Sequence, residues 1–121
     1  MAKLFFVQTF GLRPGVDARE FERFWIGQYK PLGAKLGWHG NLVKGDRGAR
    51  EGKYAAIWEV ATVEGRDRYS PPATREWTEE ALRVLGPEFK PLSDKLMSMI
   101  TEWASTDYVE LGPSRGIPRS S

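Results

Sequence analysis

His39 is the single histidine of this sequence, and imidazole is the side-chain type that exchanges a proton near neutral pH. Flanked by Trp38 and Gly40 at the start of a strand pattern, it is a candidate general base or axial ligand, and it fits a partly exposed strand end equally well. No second histidine and no spaced carboxylate pair completes a metal set, so no metal is expected. The chain has no cysteine, which excludes disulfides, thiolate sites and cysteine nucleophiles. A second group is aromatic. Phe6, Gln8, Tyr54, Trp58 and Trp103, with Trp25 from the first helix, could wall a cavity that is apolar apart from a few polar groups, as small-molecule pockets generally are. Singly, each also fits core or interface packing. Asn41 could offer an amide to a ligand oxygen or serve a turn beside Gly40. Glu59 and Asp107 are strand carboxylates whose faces depend on register. No glycine-rich phosphate loop opens a helix and no G-x-S-x-G elbow is present, so neither a nucleotide cofactor nor a serine triad is expected.

These residues must be positioned by an alternation of strands and helices. Residues 3 to 10 are rich in aromatic and β-branched types and end at Gly11 and Pro14-Gly15, as a first strand would. Asp17 followed by Glu20 resembles a capping box, and Phe21, Phe24, Trp25, Tyr29, Leu32 and Leu36 then recur at helical spacing. Pro31 lies inside that stripe and predicts a kink near Lys30. Residues 39 to 45 and 53 to 60 read as an antiparallel pair joined by an exposed loop over 46 to 52. Beyond Thr62, Ser70 as cap and Pro71 as first helical residue, ahead of Pro72, introduce a helical stripe through Trp77, Ala81, Leu82 and Leu85. Gly86-Pro87 interrupts the stripe, which resumes with Phe89, Leu92, Leu96 and Met99. Residues 101 to 111 form the last strand.

An internal similarity supports this order. Tyr29-Lys30-Pro31-Leu32 with Lys35-Leu36 recurs 60 residues later as Phe89-Lys90-Pro91-Leu92 with Lys95-Leu96. Two such units, each a strand, a helix and a strand, give a pseudo-twofold βαββαβ, with about ten extra residues before the second helix. The expectation is an α+β, ferredoxin-like domain over residues 1–111 with a four-stranded antiparallel sheet, followed by a polar C-terminal tail at 112–121. With both helices on one face, the other face is left bare. Strand three groups Tyr54, Ala56 and Trp58 against Ala55, Ile57 and Glu59, so large aromatics are expected on the bare face, and a second copy would cover them as a homodimer.

Phe21, Phe24-Trp25 and Pro31-Leu32 carry a resemblance to the EthD-like and NIPSNAP-like branches of the dimeric α+β barrel superfamily, whose first helix bears F-x-x-[YF]-W-x-x-x-H-x-P-L. The match covers the first helix well and Ala56-Ile57-Trp58 loosely. It implies a small cofactor-independent enzyme acting on an apolar, aromatic or polyketide-like molecule by oxygenation, cyclisation or isomerisation, with His39 moving a proton. Tyr29 stands where the family carries histidine. A phenol is too weak a base for that role at neutral pH, so Tyr29 is expected to hydrogen-bond a substrate oxygen or to serve as a ring. Two other readings stand beside it: the resemblance also implies a haem-binding or haem-degrading protein with His39 as axial ligand, and the missing family histidine favours a non-catalytic dimer that binds an apolar ligand or serves as an interaction module.

Composition narrows the classes further. In 121 residues, 40% hydrophobic and 28% charged, there is enough apolar material for a packed core and none of the signature of disorder. The net charge of +2 gathers on no one predicted face, so nucleic acid is not an expected partner. No stretch approaches the roughly 20 apolar residues of a membrane span, and Leu4-Phe5-Phe6-Val7 is too short for a signal peptide, which makes a cytoplasmic protein the expectation.

Overall fold

The structure, a computed structural model, describes residues 2–71 and 76–112. Four strands, β1 (Leu4–Leu12), β2 (His39–Lys44), β3 (Tyr54–Val60) and β4 (Ile100–Val109), form one antiparallel sheet in the order β2-β3-β1-β4. This is the ferredoxin-like α+β arrangement expected from the sequence. The strand limits agree with the sequence reading to within about two residues.

Between β1 and β2 the chain runs through α1 (Ala18–Phe24), a π-helical segment (Trp25–Tyr29) and α2 (Lys30–Lys35). Asp17 starts α1 by accepting from the Glu20 backbone N–H at 2.9 Å. The irregularity expected at Pro31 is present, but as a widened turn upstream of it. The Lys30 N–H reaches back five residues to the Trp25 carbonyl, and Pro31 has no N–H with which to continue the regular ladder.

Between β3 and β4 lie α3 (Val63–Tyr69), α4 (Glu79–Leu85) and α5 (Phe89–Met99). Apolar periodicity does not reveal α3, because none of its residues is buried and so it has no apolar stripe. Only its cap announces it: Thr62 accepts from the Gly65 N–H at 2.9 Å. The start of α4 also differs from expectation. Thr78 caps it, at 3.2 Å from the Ala81 N–H, whereas Ser70 terminates α3. Pro72 and residues 113–121 of the expected tail lie outside the described residues.

The core sits between the helices and one face of the sheet. Leu4, Phe6 and Phe10 of β1 and Tyr54, Ala56, Trp58 and Val60 of β3 are all buried there, against Phe21, Phe24, Trp25, Leu32 and Leu96 of the helical layer. The alternation of β3 is therefore resolved in favour of the helices. The outer face keeps Phe5, Val7, Val43, Ile57 and Tyr108 but neither Trp58 nor Tyr54, because pairing in register fixes all four strands together. No described helix is long and apolar enough to cross a membrane.

Candidate functional site

The helices do not close over the whole sheet. Beneath them, between β1, β3 and β4 and the roof formed by the end of the π-helical segment, α2, α4 and α5, is a cavity of about 890 Å³. Its floor follows from the strand register. Phe6 sits between Trp58 and Asp107, and Gln8 sits between Ala56 and Ser105. Its roof carries Tyr29, Leu32, Leu36, Leu85, Phe89 and Ser93.

A β-bulge decides which residues of β4 join this floor. Thr9 pairs with Ala104 and Gly11 with Thr101, so Phe10 alone faces both Glu102 and Trp103. The extra residue inverts the alternation. Ile100 belongs to the core, and without the bulge Ala104, Thr106 and Tyr108 would follow it on that face. With it, Trp103, Ser105 and Asp107 do. Glu102 adopts φ 57°, a left-handed conformation unusual for a residue with a Cβ, and its carboxylate pairs with Lys53 at 2.9 Å.

Trp58 anchors the other end. Its indole is packed against two glycines: a Cβ at Gly40 would lie 2.6 Å from a ring carbon, and one at Gly33 closer still. Trp25, only 1% exposed, lies behind it at 5.4 Å between ring centroids, and Tyr29 meets it edge-on at 6.4 Å. The Trp58 Nε1–H donates to Gln8 Oε1 at 3.3 Å. Burial pushes the Tyr29 phenol up to about 12, so it is neutral throughout the physiological range. At the polar rim Arg66 donates to Asp107 at 2.8 Å and also to Asp67 at 2.8 Å, joining α3 to β4. Trp38, Trp77 and Phe89 meet in sequence along another wall, the first pair tilted at 5.5 Å between centroids and the second edge-on at 5.8 Å.

The structure thus brings Phe6, Gln8, Tyr29, Trp58 and Trp103 to one cavity, with Trp25 directly behind. It separates three other residues from them. Tyr54 is buried further along the core, where it donates to Glu22 at 2.5 Å; burial, reinforced by that hydrogen bond, raises its phenol strongly. His39 pairs with Glu59 and Asn41 with Ile57, which puts both on the outer face of the sheet, away from the cavity. A haem seated in the cavity would have no imidazole from the same chain. Residues that the sequence reading did not group here include Arg66, Ser93 and Ser105. Arg66 comes from the helix without an apolar stripe, and Ser105 depends on the bulge. Among the described residues no cluster of three or more metal-ligating side chains occurs.

No protein-family model and no curated protein matches the chain. Solved structures do. A DABB family protein with a ferredoxin-like fold from Mesorhizobium loti aligns with TM-score 0.61 at 18% identity, over 93% of this chain and 100% of that one. An uncharacterized NIPSNAP-like domain protein from Burkholderia xenovorans gives 0.60 at 16% identity, over 93% and 88%. SnoaB, a cofactor-independent oxygenase from Streptomyces nogalater, gives 0.52 at 18% identity, over 92% and 93%. At such identities the likeness shows the fold, and it is the fold of the superfamily that the first helix resembles.

Proposed function

We propose that this protein takes a flat aromatic or polyketide-like small molecule into the helix-side cavity and acts on it without a cofactor, as an enzyme of the EthD-like kind. The observation that carries this reading is the cavity itself, about 890 Å³ with aromatic walls and a few convergent polar groups. Its size suits several fused rings, and Trp58, Trp103 and Phe6 offer faces on which rings can stack. Tyr29 would hydrogen-bond a substrate oxygen as a neutral phenol. The likeness to a cofactor-independent oxygenase supports the class of chemistry by analogy of fold alone. His39 joins a different proposal. With Phe5, Val7, Val43, Ile57 and Tyr108 it belongs to the outer face, which a second copy of the chain would cover to form a homodimer.

A second reading, a binder without turnover, is favoured by one observation: the cavity's carboxylate, Asp107, is already paired with Arg66, and its phenol is held protonated. One experiment addresses both. Hydroxyanthraquinone is titrated into the protein while tryptophan fluorescence is followed, and the mixture is then analysed by chromatography after long aerobic incubation. Saturable quenching with a new product supports the enzyme; saturable quenching with the probe unchanged supports the binder. No quenching by this or smaller fused-ring probes removes both.

A further inference from the structure

The hydrogen bond between Trp58 and Gln8 has a chemical direction. An indole N–H can only donate, so the Gln8 amide must turn its oxygen toward Trp58. The amide NH2 is then the end left over. Among the described residues it makes no hydrogen bond, and Gln8 is part of the cavity wall. A carboxamide that is free to rotate presents a donor or an acceptor as the ligand requires. This one has already committed its acceptor.

The neighbouring polar group points to the same chemistry. Tyr29 also lines the cavity beside Trp58, and among the described residues its hydroxyl donates to no protein acceptor. Because burial keeps the phenol protonated, its O–H remains available as a donor. Two donor groups therefore flank the Trp58 indole, Gln8 from the floor and Tyr29 from the roof.

We propose that Gln8 makes the cavity selective for ligands carrying a hydrogen-bond-accepting oxygen, such as a quinone carbonyl, an enolate or a phenolate, and that Trp58 is the positioning residue that sets this selectivity. The proposal rests on the reading of the cavity as a small-molecule site. It narrows the ligand class from aromatic to oxygenated aromatic, with the oxygen held near Trp58 and the rings extending toward Trp103. Acceptor oxygens that gain negative charge are favoured most, since hydrogen bonds to a charged partner are the stronger ones.

The test compares two probes of one ring system, 1,4-naphthoquinone and naphthalene, by quenching of tryptophan fluorescence in the wild-type protein and in Gln8→Leu, Gln8→Glu and Trp58→Phe. The wild type is expected to prefer the quinone by roughly tenfold, the effect of one well-made hydrogen bond. Gln8→Leu should remove most of the preference for the quinone over naphthalene, the remainder being what the Tyr29 hydroxyl supplies. Gln8→Glu keeps the shape, offers an acceptor in place of the donor, and should weaken the quinone further. The infrared carbonyl stretch of bound quinone gives a readout that packing alone would not move: it should shift down in the wild type, return toward its free value in Gln8→Leu, and broaden in Trp58→Phe, where the amide is no longer held. Equal affinity for both probes in the wild type, or a carbonyl stretch indifferent to Gln8→Glu, overturns the selectivity while the cavity reading stands. Failure of both probes to bind overturns the cavity reading, and this proposal with it.

Discussion

β3 and β4 both flank or approach the same central strand, yet they meet different surroundings. On β3 every second residue, from Tyr54 to Val60, is buried under the helices. On β4 only Ile100 is buried, and residues 102–109 are exposed along their whole length although Trp103, Ser105 and Asp107 point to the same side of the sheet. The difference is one of coverage. The first helical stretch presses its aromatic face onto β3, with Trp25 against Trp58, while α4 and α5 stand off from β4 and leave the cavity. Both strands pair antiparallel with β1, yet the covered strand serves stability, and the bulged edge strand leaves Trp103, Ser105 and Asp107 open along the cavity.

The largest effect that would test this contrast is truncation of an indole on each strand. Trp58, 4% exposed, is in the core, and Trp58→Ala should lower the unfolding free energy by about 3–5 kcal/mol. Trp103, 46% exposed, should lose no more than about 0.5 kcal/mol on replacement by alanine. Denaturant midpoints read both directly, and equal losses would mean that the two strands are not so different.

Next in size is an effect of alkali on the closed end. Tyr29 holds its proton to about 12 in the folded chain, against about 10 for a free phenol. The unfolded chain thus releases this proton first, so the stabilisation is fully present below pH 10 and is lost as pH rises toward 12. The loss amounts to about 3 kcal/mol. Tyr54, raised by burial and by Glu22, adds a loss of the same sign. Stability measured from pH 9 to 12 should fall, and Tyr29→Phe should remove part of the slope. A profile unchanged by that substitution would place the phenol in water.

The two glycines around Trp58 give a smaller effect. Gly33→Ala drives a methyl into the indole and should cost about 1–3 kcal/mol. In a Trp58→Phe background the smaller ring leaves room, so the double variant should lose less than the sum of the singles. Strict additivity would show that the glycine is needed for some other reason.

How far this contrast could be read in advance depends on the range of the interactions that create it. The four strands, the first helix with its irregular turn at Pro31, and the ferredoxin-like order were legible, because apolar period and turn residues are local signals. So were the aromatic wall residues as types. Their faces were not, since His39, Asn41 and Trp58 are assigned by pairing across strands. The repeat of Tyr29-Lys30-Pro31-Leu32 as Phe89-Lys90-Pro91-Leu92 marks two residues that do meet the same cavity. Its second proline costs no irregularity, because α5 begins at Phe89 and Pro91 falls in the first turn, where N–H groups have no helical partner. Arg66 remained hidden because its pairing with Asp107 spans 41 residues and its helix has no buried face.

The smallest prediction concerns the bulge that turns β4 toward the cavity. Glu102 is held at φ 57°, where a Cβ collides with its own backbone and glycine does not. In an ordinary strand position glycine is less stable than alanine by roughly 0.5–1 kcal/mol. At Glu102 the order should invert. Glu102→Gly and Glu102→Ala both lose the exposed pair with Lys53, so that contribution cancels between them and the remaining difference reports the backbone. Glu102→Gly is expected to be the more stable of the two by about 1 kcal/mol, measured by denaturant unfolding. The usual order, alanine above glycine, would mean that the left-handed residue is absent. Without it β4 would continue its alternation from Ile100, Trp103 would turn to the outer face, and the cavity would lose the wall that distinguishes this strand from β3.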